Sequence, residues 1–137
     1  MIIYYAHCVA LYNTPQEKRD IQLMDLLFPT STLINPNSPS VEARCTAIRD
    51  EIARNHEEFL RDAGAEIMDR VFMNLAQTCD LLVFRALPDG TIPAGVYKEI
   101  TWAEEANVPI LELPSALKRR ELTLPQTRQY LAEVGQR

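Results

Sequence analysis

The sequence is poor in the residues that build small stapled proteins. It has three cysteines, two histidines and four glycines in 137 residues. Cys8, Cys45 and Cys79 are far apart, and no pair has CxxC spacing. A disulfide framework is therefore excluded, and with only His7 and His56 to help, so is a zinc site. Reduced thiols fit a cytoplasmic chain. Positive charge is also scarce: 14 Lys and Arg against 19 Asp and Glu give a net charge of −5. A basic face for nucleic-acid phosphates is absent, and Lys118-Arg119-Arg120 reads as a solvated helix end. Met1-Ile2-Ile3-Tyr4-Tyr5 has no basic region and no long apolar region, so it does not read as a signal peptide. No apolar run approaches the ~20 residues that cross a bilayer.

Hydrophobic residues are plentiful, at 47%. That is enough for one domain, 1–137, to bury a core without metal or disulfide. Ile2–Ala6 is apolar without alternation, as in a strand covered on both faces. Thr14-Pro15-Gln16-Glu17 reads as a capping box opening a helix with Ile21, Met24, Leu27 and Phe28 inward, ended by Pro29. Thr32–Asn35 reads as a short strand. Ser40 then caps a helical stretch through Val41, Cys45, Ile48, Ile52 and Phe59 to Gly64, as one helix or two. Residues 65–78 give a further helix with Ile67, Val71 and Leu75 inward, before the strand Leu81–Phe84. Pro88-Asp89-Gly90 marks a turn, Val96 to Ala106 a helix, Pro109–Leu113 a strand, and Pro125 to Val134 a last helix.

The order β-α-β-α-α-β-α-β-α predicts an α/β fold: a single-domain doubly wound, flavodoxin- or Rossmann-like parallel sheet with helices on both faces. Ligands in such sheets sit at the carboxyl ends of the strands. That places His7–Asn13, Asn35–Pro39 and Arg85–Gly95 around any site. GxGxxG, GxxxxGK[ST] and GxSxG motifs are all missing, which argues against dinucleotide, P-loop and α/β-hydrolase chemistry. Carboxylates remain as the reactive groups.

The most informative segment is Gly95-Val96-Tyr97-Lys98-Glu99-Ile100-Thr101-Trp102-Ala103. Gly95 lets a ligand approach the backbone. On a helix, Val96, Ile100, Ala103 and Asn107 share one side, Lys98 and Glu105 face solvent, and Glu104 sits at a margin. Glu99 falls about 60° from the centre of the apolar stripe, on its buried shoulder in the first turn or so. An acidic residue there is also favoured simply by the helix dipole.

Together with Cys79-Asp80 before the third strand and Val108-Pro109-Ile110-Leu111 after the helix, this segment resembles the nucleoside 2-deoxyribosyltransferase-like superfamily, which includes 2′-deoxynucleoside 5′-phosphate N-hydrolases. The resemblance covers most of residues 1–113. It implies cleavage or transfer at the N-glycosidic bond of a nucleoside or nucleotide, with Glu99 attacking the anomeric carbon, no cofactor, no metal and a homo-oligomer such as a dimer. Tyr4 matches the pocket tyrosine of the first strand. The family's second acid would fall on Phe72, which cannot serve; Asp69, one turn on, is the substitute candidate, although periodicity points it to solvent. Asp80 is a candidate contact that could equally end a helix. Asp89 could bind sugar hydroxyls or only shape its turn. His7 and Tyr12 stand where phosphate-reading members have a Gly/Ser/Arg-rich turn, so a 5′-monophosphate substrate is in doubt. Asn35 and Asn37 could read the base or only form a turn. A non-catalytic nucleotide-binding module and an NAD glycohydrolase remain open beside the glycosidase.

Overall fold

The computed structural model describes residues 1–54, 62–114 and 121–136. Phe59, His56 and Lys118-Arg119-Arg120 lie outside the described residues. Four strands, β1 (Ile2–Ala6), β2 (Thr32–Ile34), β3 (Leu81–Phe84) and β4 (Ile110–Glu112), form one parallel sheet in the order β2-β1-β3-β4. Tyr4 pairs with Ile34 on one side and Leu82 on the other. The connections leave β1 in opposite directions, so a crevice opens between the carboxyl ends of β1 and β3.

Alternation along the strands sends side chains to two covered faces. Ile3, Tyr5, Val83 and Leu113 pack with Met24 of α1 (Pro15–Leu27). Tyr4, Ala6, Leu82 and Phe84 pack with the other helices. These are α2 (Pro39–Arg54), the stretch 63–78, and α5 (Ala94–Glu105), which turn Val41, Cys45, Ile67, Val71, Leu75, Val96 and Ile100 inward. This is the doubly wound α/β architecture expected from the element order.

Several local expectations are corrected. Thr14 caps α1, its Oγ1 accepting from the Glu17 N–H at 3.3 Å. Glu17 does not close the box, because the Thr14 N–H donates to Leu11 O and the Glu17 carboxylate is drawn to His7. Leu27 is exposed, and the buried residues of α1 are Glu17, Asp20 and Met24. Ser38, not Ser40, caps α2, which leaves Pro39 at the first helical position. Gly64 lies inside α3 (Ala63–Ile67), which Asp62 caps. Asn107 is not on the inward stripe of α5; it is exposed, with φ 58° just past the helix end, a conformation asparagine tolerates.

The stretch 63–78 is helical throughout but not uniformly α. Between α3 and α4 (Met73–Thr78), Met68–Phe72 forms a π turn in which the Met73 N–H reaches Met68 O. The last helix, α6 (Leu124–Glu133), has a complete Thr123/Gln126 capping box but no buried residue. Among the described residues, no helix is long and apolar enough to cross a membrane.

One buried ion pair ties these parts together. Asp20 on α1 accepts from Arg85 Nη2 at 2.5 Å, Arg85 Nε at 2.9 Å and Tyr5 Oη at 2.6 Å, and Arg85 Nη1 also donates to Pro114 O. Burial works against the Asp20 charge, but the Arg85, Tyr5 and Gln16 hydrogen bonds outweigh it and hold the carboxyl below its usual range. Removing one partner of such a pair strands the other charge in the core. Asp20→Ala is therefore expected to cost about 3–5 kcal/mol in urea unfolding at neutral pH. A loss under 1 kcal/mol would mean that water replaces the pair.

Candidate active site

The crevice at the carboxyl ends of β1 and β3 holds a cavity of about 220 Å³. It is lined by His7, Cys8, Val9 and Tyr12 from the loop after β1, Met68 and Phe72 from the π turn, and Pro93, Gly95, Val96 and Glu99 from the start of α5. Its volume falls below the ~300–1,000 Å³ of pockets that enclose a drug-sized ligand.

Glu99 is 6% exposed, in the second turn of α5 because that helix begins at Ala94 rather than at Val96. The carboxylate lies above Tyr4, which the sheet buries completely. Neither Glu99 Oε2 nor Tyr4 Oη has a well-formed hydrogen-bond partner. Burial raises the Glu99 carboxyl from 4.5 to about 7, and the neighbouring Tyr4 phenol pulls it only partly back. Burial, reinforced by the Glu99 charge, also pushes the Tyr4 phenol well up. A buried carboxyl raised towards neutrality beside a cavity is a kind of group that clusters at functional sites.

His7 lines the same cavity in a fixed pose. Its ring stacks on Tyr5 at 3.8 Å. Nε2 lies 2.7 Å from Glu17 Oε2 and Nδ1 3.2 Å from Tyr5 O. Glu17 in turn accepts from Asn37 Nδ2 and the Asn13 N–H. Burial opposes the Glu17 charge, but the bonds from His7, Asn37 and Asn13 prevail and hold its carboxyl below the usual range. Asn13 adopts φ 60°, which turns the chain from the cavity loop into α1.

The structure thus gathers Tyr4, His7, Tyr12, Gly95 and Glu99 at one place. It does not bring in the others. Asp69 is exposed and outside the cavity lining. Asp80 is at the amino end of the sheet, opposite the cavity, where its Oδ2 accepts from the Ile2 N–H at 2.6 Å. Asp89 is exposed and shapes its turn by accepting from the Thr91 N–H and Oγ1. Asn35 Oδ1 accepts from the Asn37 N–H in a turn of its own. A Cβ built on Gly95 would meet Met68 Cε at 3.8 Å, an ordinary contact, so helix packing alone does not demand glycine there.

Met68, Phe72 and Glu17 were not expected at the site. Met68 and Phe72 each follow an inward residue, Ile67 and Val71, and this second apolar stripe was visible in the sequence. Glu17 carried no signal of its own, because the spacing from Thr14 already accounted for it. Among the described residues no group of three His, Cys, Asp or Glu could hold a metal ion. No family model matches the sequence, and no curated protein is significantly similar to it.

The raised Glu99 carboxyl has a measurable cost. Below pH 4.5 it is neutral whether the chain is folded or not, and nothing is lost. Between 4.5 and about 7 only the unfolded chain ionises freely, so stability falls as pH rises. Above pH 7 the loss levels off at about 3 kcal/mol. Glu99→Gln, which cannot ionise, is expected to gain up to that amount at pH 8 and only about a few tenths of a kcal/mol at pH 4.5 in paired urea melts. An equal effect at both values would show that Glu99 is not held neutral by burial.

Proposed function

We propose that this protein cleaves, or transfers at, the N-glycosidic bond of a nucleoside or nucleotide, with Glu99 as nucleophile. The observation that carries this reading is the buried Glu99 carboxyl, its Oε2 without a hydrogen-bond partner among the described residues, beside a cavity at the switch point of the sheet. Such a carboxylate first stabilises the oxocarbenium-like charge at the anomeric carbon, then bonds to it. Water resolves the ester in a hydrolase, and a second base resolves it in a transferase. Tyr4 positions the carboxylate from below. His7, locked by Glu17, and Tyr12 shape the wall that the sugar meets. The similarity of Gly95–Ala103 to the deoxyribosyltransferase-like motif supports the same chemistry. The dimer belongs to this reading too; α6 has no buried residue and leaves Leu124 and Tyr130 exposed.

A second reading has one specific observation behind it. With Asp69 outside the cavity, no acidic side chain besides Glu99 lines it among the described residues. A binding module that holds a nucleotide without turnover would look the same. Base release, quantified by chromatography across nucleosides, deoxynucleosides, their 5′-monophosphates and NAD, separates the two. The glycosidase reading expects release by the wild type and a drop of at least roughly a thousand-fold in Glu99→Gln. It also expects kcat/KM to rise with pH through about 7, since the nucleophile must be ionised. Release that survives Glu99→Gln unchanged would refute it.

A further inference from the structure

Departure of an uncharged base from a sugar leaves an anion unless a proton reaches it. The cavity has no free acid for that step among the described residues. Both ring nitrogens of His7 are engaged, Nδ1 with Tyr5 O and Nε2 with Glu17. The Tyr12 phenol is pushed well up by burial, then by the Glu99 and Glu17 carboxylates, so it holds its proton. Cys8 offers a thiol, a weak donor. Asp69 is exposed and elsewhere. The other walls are Val9, Met68, Phe72, Pro93, Gly95 and Val96.

Those walls suit a different leaving group. The Phe72 and Tyr12 rings can face a cation, the Met68 thioether can lie along an aromatic ring, and Glu99 supplies the opposite charge. Building on the glycosidase reading, we propose that the site takes N-glycosides whose base is already a ring cation, such as an N-ribosyl pyridinium or an N7-alkylated purine nucleoside. The Glu99 carboxylate forms a bond to the anomeric carbon. The carbon–nitrogen bond breaks with its electron pair going to the ring nitrogen. The base leaves neutral, and no proton has to be delivered. Water then attacks the anomeric carbon of the ester, Glu99 departs as the carboxylate, and one proton goes to solvent. Hydrolysis of a cationic glycoside therefore acidifies the medium by one proton per turnover, whereas hydrolysis of a neutral nucleoside does not.

The test compares nicotinamide riboside and 7-methylguanosine with guanosine and inosine, each also as its 5′-monophosphate. Base release is followed by chromatography and proton release by pH-stat. Glu99→Gln, checked for folding by circular dichroism, gives the uncatalysed background for each compound. The cationic members are expected to exceed their neutral counterparts by at least about 100-fold in kcat/KM above that background, the contribution a general acid otherwise makes. Equal rates on guanosine and 7-methylguanosine would overturn the leaving-group inference and leave the glycosidase reading standing. No release above background from any member would overturn both.

Discussion

The structure depends on the buried pair of Asp20 and Arg85. Arg85 is the first residue after β3, Tyr5 lies in β1, Asp20 is on α1, and Pro114 follows β4 by two residues. One ion pair with its added hydrogen bonds therefore pins the carboxyl ends of two central strands to the helix that covers them. Those strand ends carry the cavity on the opposite face. The desolvation of both charges is offset only because nearly every polar atom of the pair is used. His7 stacks on the ring of Tyr5, so the loop after β1 inherits its position from the same network.

This arrangement also explains why no cation among the described residues contributes to the Glu99 environment. Alternation in β1 turns Tyr5 towards Arg85 and Tyr4 towards Glu99, on opposite faces of the sheet. Arg85 is spent on Asp20, and His7 is held by Glu17. The sheet thus separates two kinds of buried carboxylate. Asp20 and Glu17 are satisfied, with proton affinities held below the ordinary range. Glu99 is unsatisfied, with its own raised to about 7. The satisfied pair stabilises the fold, and the unsatisfied one costs stability, which is the usual mark of a group kept for chemistry.

The sheet was legible in the sequence because its signals are short-range. Unbroken apolar runs at Ile2–Ala6 and Leu81–Phe84 and helical spacing between them leave few parallel topologies. Glu99 was legible for the same reason: its offset from the Val96–Ile100–Ala103 stripe is a local property of one helix. What failed was whatever depends on contacts far apart in the chain. Glu17 is three residues from Thr14, which makes a capping box the economical reading, yet its partner His7 reaches it only after β1 and α1 are docked. Asp80 sits next to a strand, but at the end away from the cavity, and adjacency in sequence does not distinguish the two ends without counting strand direction. Asp89 and Asn35 do what turn residues commonly do with their own backbone.

The π turn at Met68–Phe72 departs from ordinary α-helical geometry beside the cavity. A helix with strict 3.6-residue periodicity would keep Ile67, Val71 and Leu75 on one line and leave the next residue of each turn off it. The wide turn sets the stretch out of that register, where the Met73 N–H bonds Met68 O. Ile67 and Val71 remain in the core, while Met68 and Phe72 reach the cavity opposite Glu99. An aromatic ring and a thioether thus line the same cavity as the Glu99 carboxyl. Holding it unpaired costs about 3 kcal/mol at neutral pH. An amide or an apolar side chain would shed that cost and keep much the same pocket shape, whereas the proposed attack on an anomeric carbon requires the carboxylate.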